Sequence, residues 1–319
     1  MRILVTGAAG FIGSRLSRAL LERGDTVVGL DNFNPYYPVE HKRRNVADLT
    51  PHTRFTLIEG DFRNAALVHD LFARHHFDAV AHLGAMAGVR YSRTRPHLYT
   101  EVNLVGTINI FEAAREHQTP NVVYASTSSV YGNTARIPFQ EDDAADHPLA
   151  PYPASKRACE LYAYSYHNLW GMNLTGLRFF SVYGPHGRPD MMPWRWTEQI
   201  LRGEPLTLYN GGRLSRDWTY IDDIVQGVIA ALDRPLGYEI INLGAGHPIE
   251  NLRFVARLEE LLGRQAIIQD VPVPPTEALH TYADISKARR LLDYNPTVPV
   301  EEGLARFVEW YQRNVLGKA

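Results

Sequence analysis

A single cysteine, Cys159, stands in the 319 residues, so no internal disulfide can form and the chain reads as one made for a reducing compartment. Neither sign of charge is in excess. Lys and Arg number 33 against 35 Asp and Glu, a net charge of −2 that argues against any general affinity for nucleic acid or anionic lipid. No uncharged apolar run approaches the roughly 18 residues of a membrane span. The N-terminal Met1-Arg2-Ile3-Leu4-Val5-Thr6-Gly7 is a short strand meeting glycine at once, without the longer apolar stretch and cleavage site of a secretory signal. The 13 histidines show no ligand spacing, and His75-His76 and His82 read as a helix end and a strand end, so no metal site is expected. These absences predict a soluble cytoplasmic protein with neither nucleic-acid nor membrane partners. Apolar residues at 45% and charged residues at 21% exclude disorder, collagen and coiled coil, and the length suits one large α/β unit or two fused lobes.

Strand and helix signals alternate through the first half. Strand-length apolar runs at 2–6, 26–30, 54–58, 79–83, 121–125 and 174–179 are separated by helical stretches at 11–23, 65–74, 97–117 and 152–169. Short, nearly all-apolar strands between helices predict an α/β fold, a Rossmann-type doubly wound parallel sheet covered on both faces. After Phe180 the pattern breaks at Gly184-Pro185, Gly187-Arg188-Pro189, Gly211-Gly212 and the proline run 272–275. Short helical stretches at 193–202, 222–232, 253–262 and 300–313 lie between these loops. The expected organisation is a dinucleotide-binding domain over 1–180 and a smaller C-terminal α/β substrate lobe over 181–319, with segments such as 218–243 crossing back.

Gly7-Ala8-Ala9-Gly10-Phe11-Ile12-Gly13 lies between the first strand and the first helix. Three glycines in seven residues would alone mark an ordinary turn. Their place decides otherwise, because a helix N-terminus behind a tight glycine turn can face a pyrophosphate. Asp31 closes the next strand 18 residues after Gly13. Its carboxylate can accept bonds from ribose hydroxyls and would repel a 2′-phosphate, which favours NAD over NADP.

Tyr152 and Lys156 stand at i and i+4 on one helical face. A phenol titrates near 10; lowering it by about three units takes roughly 4 kcal/mol, which a lysine cation and an oxidised nicotinamide in a dry cleft can supply. Tyr-x-x-x-Lys is also a common surface pair, but this one opens the helix after the fifth strand. Ser126-Thr127-Ser128-Ser129 follows that strand at the carboxyl edge, where open α/β sheets bind ligands. Ser126 and Ser129, taken singly, read as capping residues.

Together these features resemble the extended short-chain dehydrogenase/reductase family of nucleotide-sugar enzymes, over essentially the whole chain. The resemblance implies Tyr152 as base, Lys156 on the nicotinamide ribose and Thr127 as helper. It implies further cofactor contacts at Gly7, Gly10, Phe11, Ile12, Gly13, Asp31, Asn32, Asp61, Phe62, Leu83, Ala85 and Asn103. Dehydratases and decarboxylases of this family resemble Thr-Asp-Glu or Thr-Ser-Glu in the serine-rich loop, whereas Ser129 stands here at the glutamate position. Without that acid the simplest outcome is oxidation at C4 and reduction from the other face, a 4-epimerisation.

The stretches 30–37 and 178–191 look like those of UDP-glucuronate 4-epimerases. There the resemblance sets Arg188 and Ser181 against the sugar carboxylate, although Arg188 can equally pair with Asp190 within its loop. It places Arg216 on the diphosphate, Leu206 and Tyr209 along the uracil, Glu277 on the nucleotide ribose, and Thr127, Ser128 and Ser129 beside the sugar. Met86, Ser181, His186 and Glu277 depart from the family pattern and bear on sugar range. A UDP-glucose or UDP-N-acetylglucosamine 4-epimerase is the runner-up, a UDP-glucuronate decarboxylase the next, and a non-catalytic NAD-sensing protein the alternative from another class. A homodimer is expected by resemblance, through helices 97–117 and 152–169. Cys159, Trp194 and Trp196 read as packing.

Overall fold

The computed structural model describes residues 1–134 and 136–317. Its centre is a seven-stranded, all-parallel sheet built from β1 (Arg2–Thr6), β2 (Thr26–Asp31), β3 (Phe55–Glu59), β4 (Ala79–His82), β5 (Val122–Thr127), β6 (Leu174–Phe179) and a late strand, Tyr238–Leu243, in the spatial order β3-β2-β1-β4-β5-β6 and then that late strand. The chain starts in the middle and winds outward both ways, so a crevice opens where β1 and β4 diverge at their carboxyl ends. Register sets Thr6 beside His82 and Asp31 beside Glu59.

Why these runs form a sandwiched sheet is visible in β1. Ile3 and Val5 pack into one apolar cluster and Leu4 into the cluster on the opposite face, the alternation a strand imposes. All three are fully buried, each worth about 1.5–3 kcal/mol of burial. Glycine ends the first helix, Phe11–Arg23, with Gly24 in the left-handed region at φ +105°.

Beyond residue 180 the chain forms three small two-stranded sheets. They pair Ser181–Tyr183 with Trp218–Tyr220, Pro205–Tyr209 with Ile267–Val271, and Ser215–Arg216 with Ile249–Glu250. Within 218–243, the helix Ile221–Leu232 packs on Phe11–Arg23 and on β4 to β6, and Tyr238–Leu243 completes the large sheet. The larger apolar cluster runs from Ile3 through Trp194 and Trp196 to Phe254 and Phe307, so the core is continuous across residue 180.

One local expectation is revised and one element was not foreseen. The helix expected over 97–117 is Pro96–Tyr99, a widened π-type turn Thr100–Val105, and a helix Gly106–Glu116. At Gly106 a Cβ would come 2.4 Å from the Phe62 ring, so close packing governs this segment. A helix at Val39–Val46 carried no apolar stripe and was not foreseen. Among the described residues no helix is long and apolar enough to cross a membrane, and no cluster of His, Cys, Asp or Glu could hold a metal ion.

Candidate active site

A cleft of about 850 Å³ lies along the carboxyl edge of the sheet, with the glycine turn on one side and residues 179–195 on the other. Gly7 adopts φ +69°, and a Cβ there would meet the Gly84 backbone at 2.9 Å; at Gly13 it would lie 2.1 Å from the Gly7 carbonyl oxygen. Both positions require glycine. Gly10 begins the helix Phe11–Arg23 without a side-chain cap, and no acid stands in the first turn. That terminus, lining the cleft through Gly10, Phe11, Ile12 and Gly13, keeps its N–H groups and its positive dipole end for an anion.

Asp31 ends β2, buried. It accepts from the backbone N–H of Ala9 (3.1 Å) and Phe33 (2.8 Å), and the Lys42 ammonium lies 3.6 Å away. Asn32 donates to Asp61 at 2.9 Å. Burial would raise the Asp61 carboxyl, but bonds from Arg63 and Asn32 bring it down to about 2. Leu83, Ala85 and the Phe62 ring complete this half of the cleft wall. The set fits a dinucleotide: an uncapped helix end for the pyrophosphate, an acid for a ribose, apolar walls for a base.

Tyr152 and Lys156 lie one turn apart on the helix Pro151–Trp170, whose first turn admits Pro151 and Pro153. Burial raises the Tyr152 phenol; a hydrogen bond with Thr127 and the charge of Arg188 pull it the other way, and the net direction is up. Arg188 thus adds its charge at this phenol from the opposite wall, and Lys156 lines the same cleft. Burial lowers the Lys156 ammonium, with Cys159 and Glu160 opposing. Thr127 closes β5 and accepts from the Ser129 N–H at 3.2 Å, which turns the chain and leaves Thr127, Ser128 and Ser129 on the cleft.

Beneath them lies a charged network that sequence reading missed. Glu160 accepts from Ser126 Oγ at 2.6 Å, from Arg178 at 2.9 and 2.7 Å and from Arg157 at 2.9 Å. Glu160 and Arg178 are essentially without solvent contact. Paired and hydrogen-bonded in this way, they tie β5, β6 and the Tyr152 helix together. The only hint in the sequence was Glu160 falling one turn beyond Lys156.

Arg188 and Ser181 line the opposite wall. Arg188 is half-buried and grips Asp190 through Nε (2.9 Å) and Nη2 (2.5 Å), so the loop pairing holds while the guanidinium still borders the cleft. Tyr36 donates to Asp190 at 3.2 Å, and the Arg188 guanidinium stands 5.7 Å from the Tyr36 ring centre. Tyr36, Lys42 and Arg90 are cleft residues the sequence did not single out.

Other expected residues fall elsewhere. Asp61 borders an adjoining recess with Arg63, Asn64, Glu101 and Val105. Asn103 is buried behind the wall, with its amide bonded to Met86 N and O and to Ser155 Oγ. Leu206 does not line the cleft: it is fully buried in the larger apolar cluster. Tyr209 approaches the cleft only under Arg90, whose guanidinium stands 5.3 Å from its ring centre. Arg216 is buried at the rim, bonded to Glu277, which does line the cleft. Cys159, Trp194 and Trp196 are buried in the apolar clusters, and His82 ends β4.

Known proteins are similar to this chain in sequence and in fold. A profile of the NAD dependent epimerase/dehydratase family matches residues 3–244. The UDP-glucuronate 4-epimerase of Thermodesulfobacterium geofontis is 42% identical over 313 residues, covering 98% of this chain and 96% of that one. The crystal structure of UDP-glucuronic acid 4-epimerase from Bacillus cereus, in complex with UDP-glucuronic acid and NAD, superposes with a TM-score of 0.92 at 37% identity, covering 98% and 99% of the two chains. The UDP-glucose 4-epimerase of Thermotoga maritima, with UDP-glucose, gives 0.90 at 28% identity over 99% and 100%. The profile spans the glycine turn, the large sheet and the Tyr152–Lys156 helix, and the likeness to whole solved enzymes extends over nearly the full chain, so this chain belongs to the NAD dependent epimerase/dehydratase family.

Proposed function

We propose that the chain interconverts UDP-glucuronate and UDP-galacturonate by transient oxidation at C4. The observation that carries this is the meeting of Tyr152, Thr127 and Arg188 on one cleft, with Ser129 and not an acid two residues after Thr127. Likeness to UDP-glucuronate 4-epimerases supports the choice of sugar. NAD, when bound, would supply hydride transfer at C4, and the 4-keto sugar, anchored through its UDP, would rotate to present its other face for re-reduction.

The chain's own groups handle the rest. The Tyr152 phenolate takes the proton from the C4 hydroxyl and gives it back, and Thr127 bridges that oxygen to the phenol. Lys156 holds the nicotinamide ribose and supplies positive charge. The residues from Gly7 to Gly13, with Asp31, Asn32, Asp61, Phe62, Leu83 and Ala85, cradle the rest of the dinucleotide, and Asn103 braces that wall from behind. Ser128 and Ser129 border the sugar. Arg188, with Ser181, takes the sugar carboxylate. A 4-keto glucuronate is a β-keto acid that loses carbon dioxide when the breaking bond stands perpendicular to the ketone plane. A guanidinium that fixes the carboxylate out of that orientation protects it. Arg216 and Arg90 hold the diphosphate, Tyr209 lies towards the uracil, and Glu277 stands at the nucleotide end. On this reading the lobe 1–180 takes the cofactor and 181–319 the UDP-sugar. A homodimer would cover the exposed Leu161, Tyr162, Tyr164, Leu169 and Trp170 on the Tyr152 helix. The buried free thiol of Cys159 suits a reducing cytoplasm.

The test is incubation of purified protein with UDP-glucuronate and catalytic NAD, with products resolved by ion exchange and proton NMR. UDP-galacturonate without net NADH is the expected result. UDP-xylose would overturn the reading of Ser129, and turnover of UDP-glucose alone would overturn the carboxylate role of Arg188.

A further inference from the structure

At the rim of the cleft two arginines from distant parts of the chain converge on one carboxylate. Arg216 reaches Glu277 Oε1 at 2.5 Å, and Arg90 reaches Oε2 at 3.3 Å. Arg216 is fixed: its side chain is 6% exposed, and Nη1 donates to the carbonyl oxygens of Ser215 (2.8 Å) and Leu279 (3.3 Å). Arg90 is the movable partner, with a side chain 52% exposed. Glu277 sits on a loop between the strand Ile267–Val271 and the helix Ser286–Leu292, where its carboxylate can turn without disturbing a ladder or helix.

Two guanidinium groups sharing one anion is an arrangement that a diphosphate also satisfies, through the same charge-assisted bonds. In this chain the anion is part of the protein. Two neighbouring cations without a counter-charge repel, so whichever anion is present is held. Glu277 and an incoming diphosphate therefore contend for the same donors.

Building on the UDP-sugar reading above, we infer that Glu277 is an internal competitor for the diphosphate site. In the free protein its carboxylate occupies Arg216 and Arg90. A nucleoside diphosphate binds by taking over at least one of these guanidinium groups as Glu277 turns away. The residue thus sets how weakly the nucleotide is held and how readily product leaves.

The experiment is calorimetric titration of UDP, and separately of uridine, into the full-length NAD-loaded protein and its Glu277→Gln variant. Glutamine keeps the side chain's size and removes its charge. The variant is expected to bind UDP about three- to tenfold more tightly, the scale of one released ion pair, with uridine affinity unchanged within about twofold. Unchanged UDP affinity overturns the competition, and so does weakening of UDP and uridine together, which would make Glu277 a ribose ligand. Wild-type protein that binds no UDP at all overturns the UDP-sugar reading itself, and the competition with it.

Discussion

His82 ends β4 with its ring between two hydroxyls, Thr6 Oγ1 at 2.7 Å from Nδ1 and Thr107 Oγ1 at 2.9 Å from Nε2. Thr6 Oγ1 also accepts from Gly84 N–H, and Thr107 donates to the Asn103 carbonyl. The pattern closes only for a neutral ring protonated on Nε2, with Nδ1 accepting from Thr6. Burial, aided by the charge of Lys156, lowers this imidazole from 6.5 to about 3. The folded state thus refuses a proton that the unfolded chain accepts below 6.5. Stability from this group is complete above that value and declines as pH falls from 6.5 towards 3. At about pH 5 the separation from 6.5 corresponds to a loss of about 2 kcal/mol. Urea unfolding of wild type and His82→Gln at about pH 7.5 and about pH 5 measures it. The variant is less stable throughout but should lose about 2 kcal/mol less than wild type between the two conditions. Equal losses in both proteins would refute the neutral-histidine account.

Three further outcomes are expected. Tyr152→Phe should lower turnover of UDP-glucuronate by about 10³-fold while calorimetry shows UDP still bound, the contribution of a positioned acid–base group. Arg188→Ala should raise KM for UDP-glucuronate about tenfold or more and release a pentose product visible by NMR; unchanged KM and a clean product would reject the clamp. Glu160→Ala, which strands the buried Arg178 charge, should cost about 3–5 kcal/mol in urea unfolding, with Glu160→Gln costing less.

The glycine turn, the first six strands and the Tyr152–Lys156 face were legible because each rests on local pattern: all-apolar runs, a helix period, and glycines at a strand–helix junction. The helix Val39–Val46 was not, because Glu40, His41, Lys42, Arg43 and Arg44 give it no apolar stripe. It is held by long-range contacts, Asn45 Nδ2 to the Ala9 carbonyl at 3.1 Å, Lys42 to Asp31, and His41 against the Trp194 ring. The break in 97–117 was hidden for the converse reason: an unbroken helical signal does not reveal that Gly106 must pass the Phe62 ring. The Glu160–Arg178 pair joins a helix to a neighbouring strand, and only the packing of that helix on the sheet brings the two together.

Asn103 holds Met86 by its backbone on both sides, accepting from its N–H at 2.8 Å and donating to its carbonyl at 3.0 Å, and it donates to Ser155 on the Tyr152 helix at 2.9 Å. The cleft wall at position 86 is thus fastened through backbone atoms that every residue but proline possesses. A different side chain there alters the cleft surface but leaves the fastening whole. The lining of the cleft at this point and the anchoring of its wall are consequently separable, and the chain can drift in one without loosening the other.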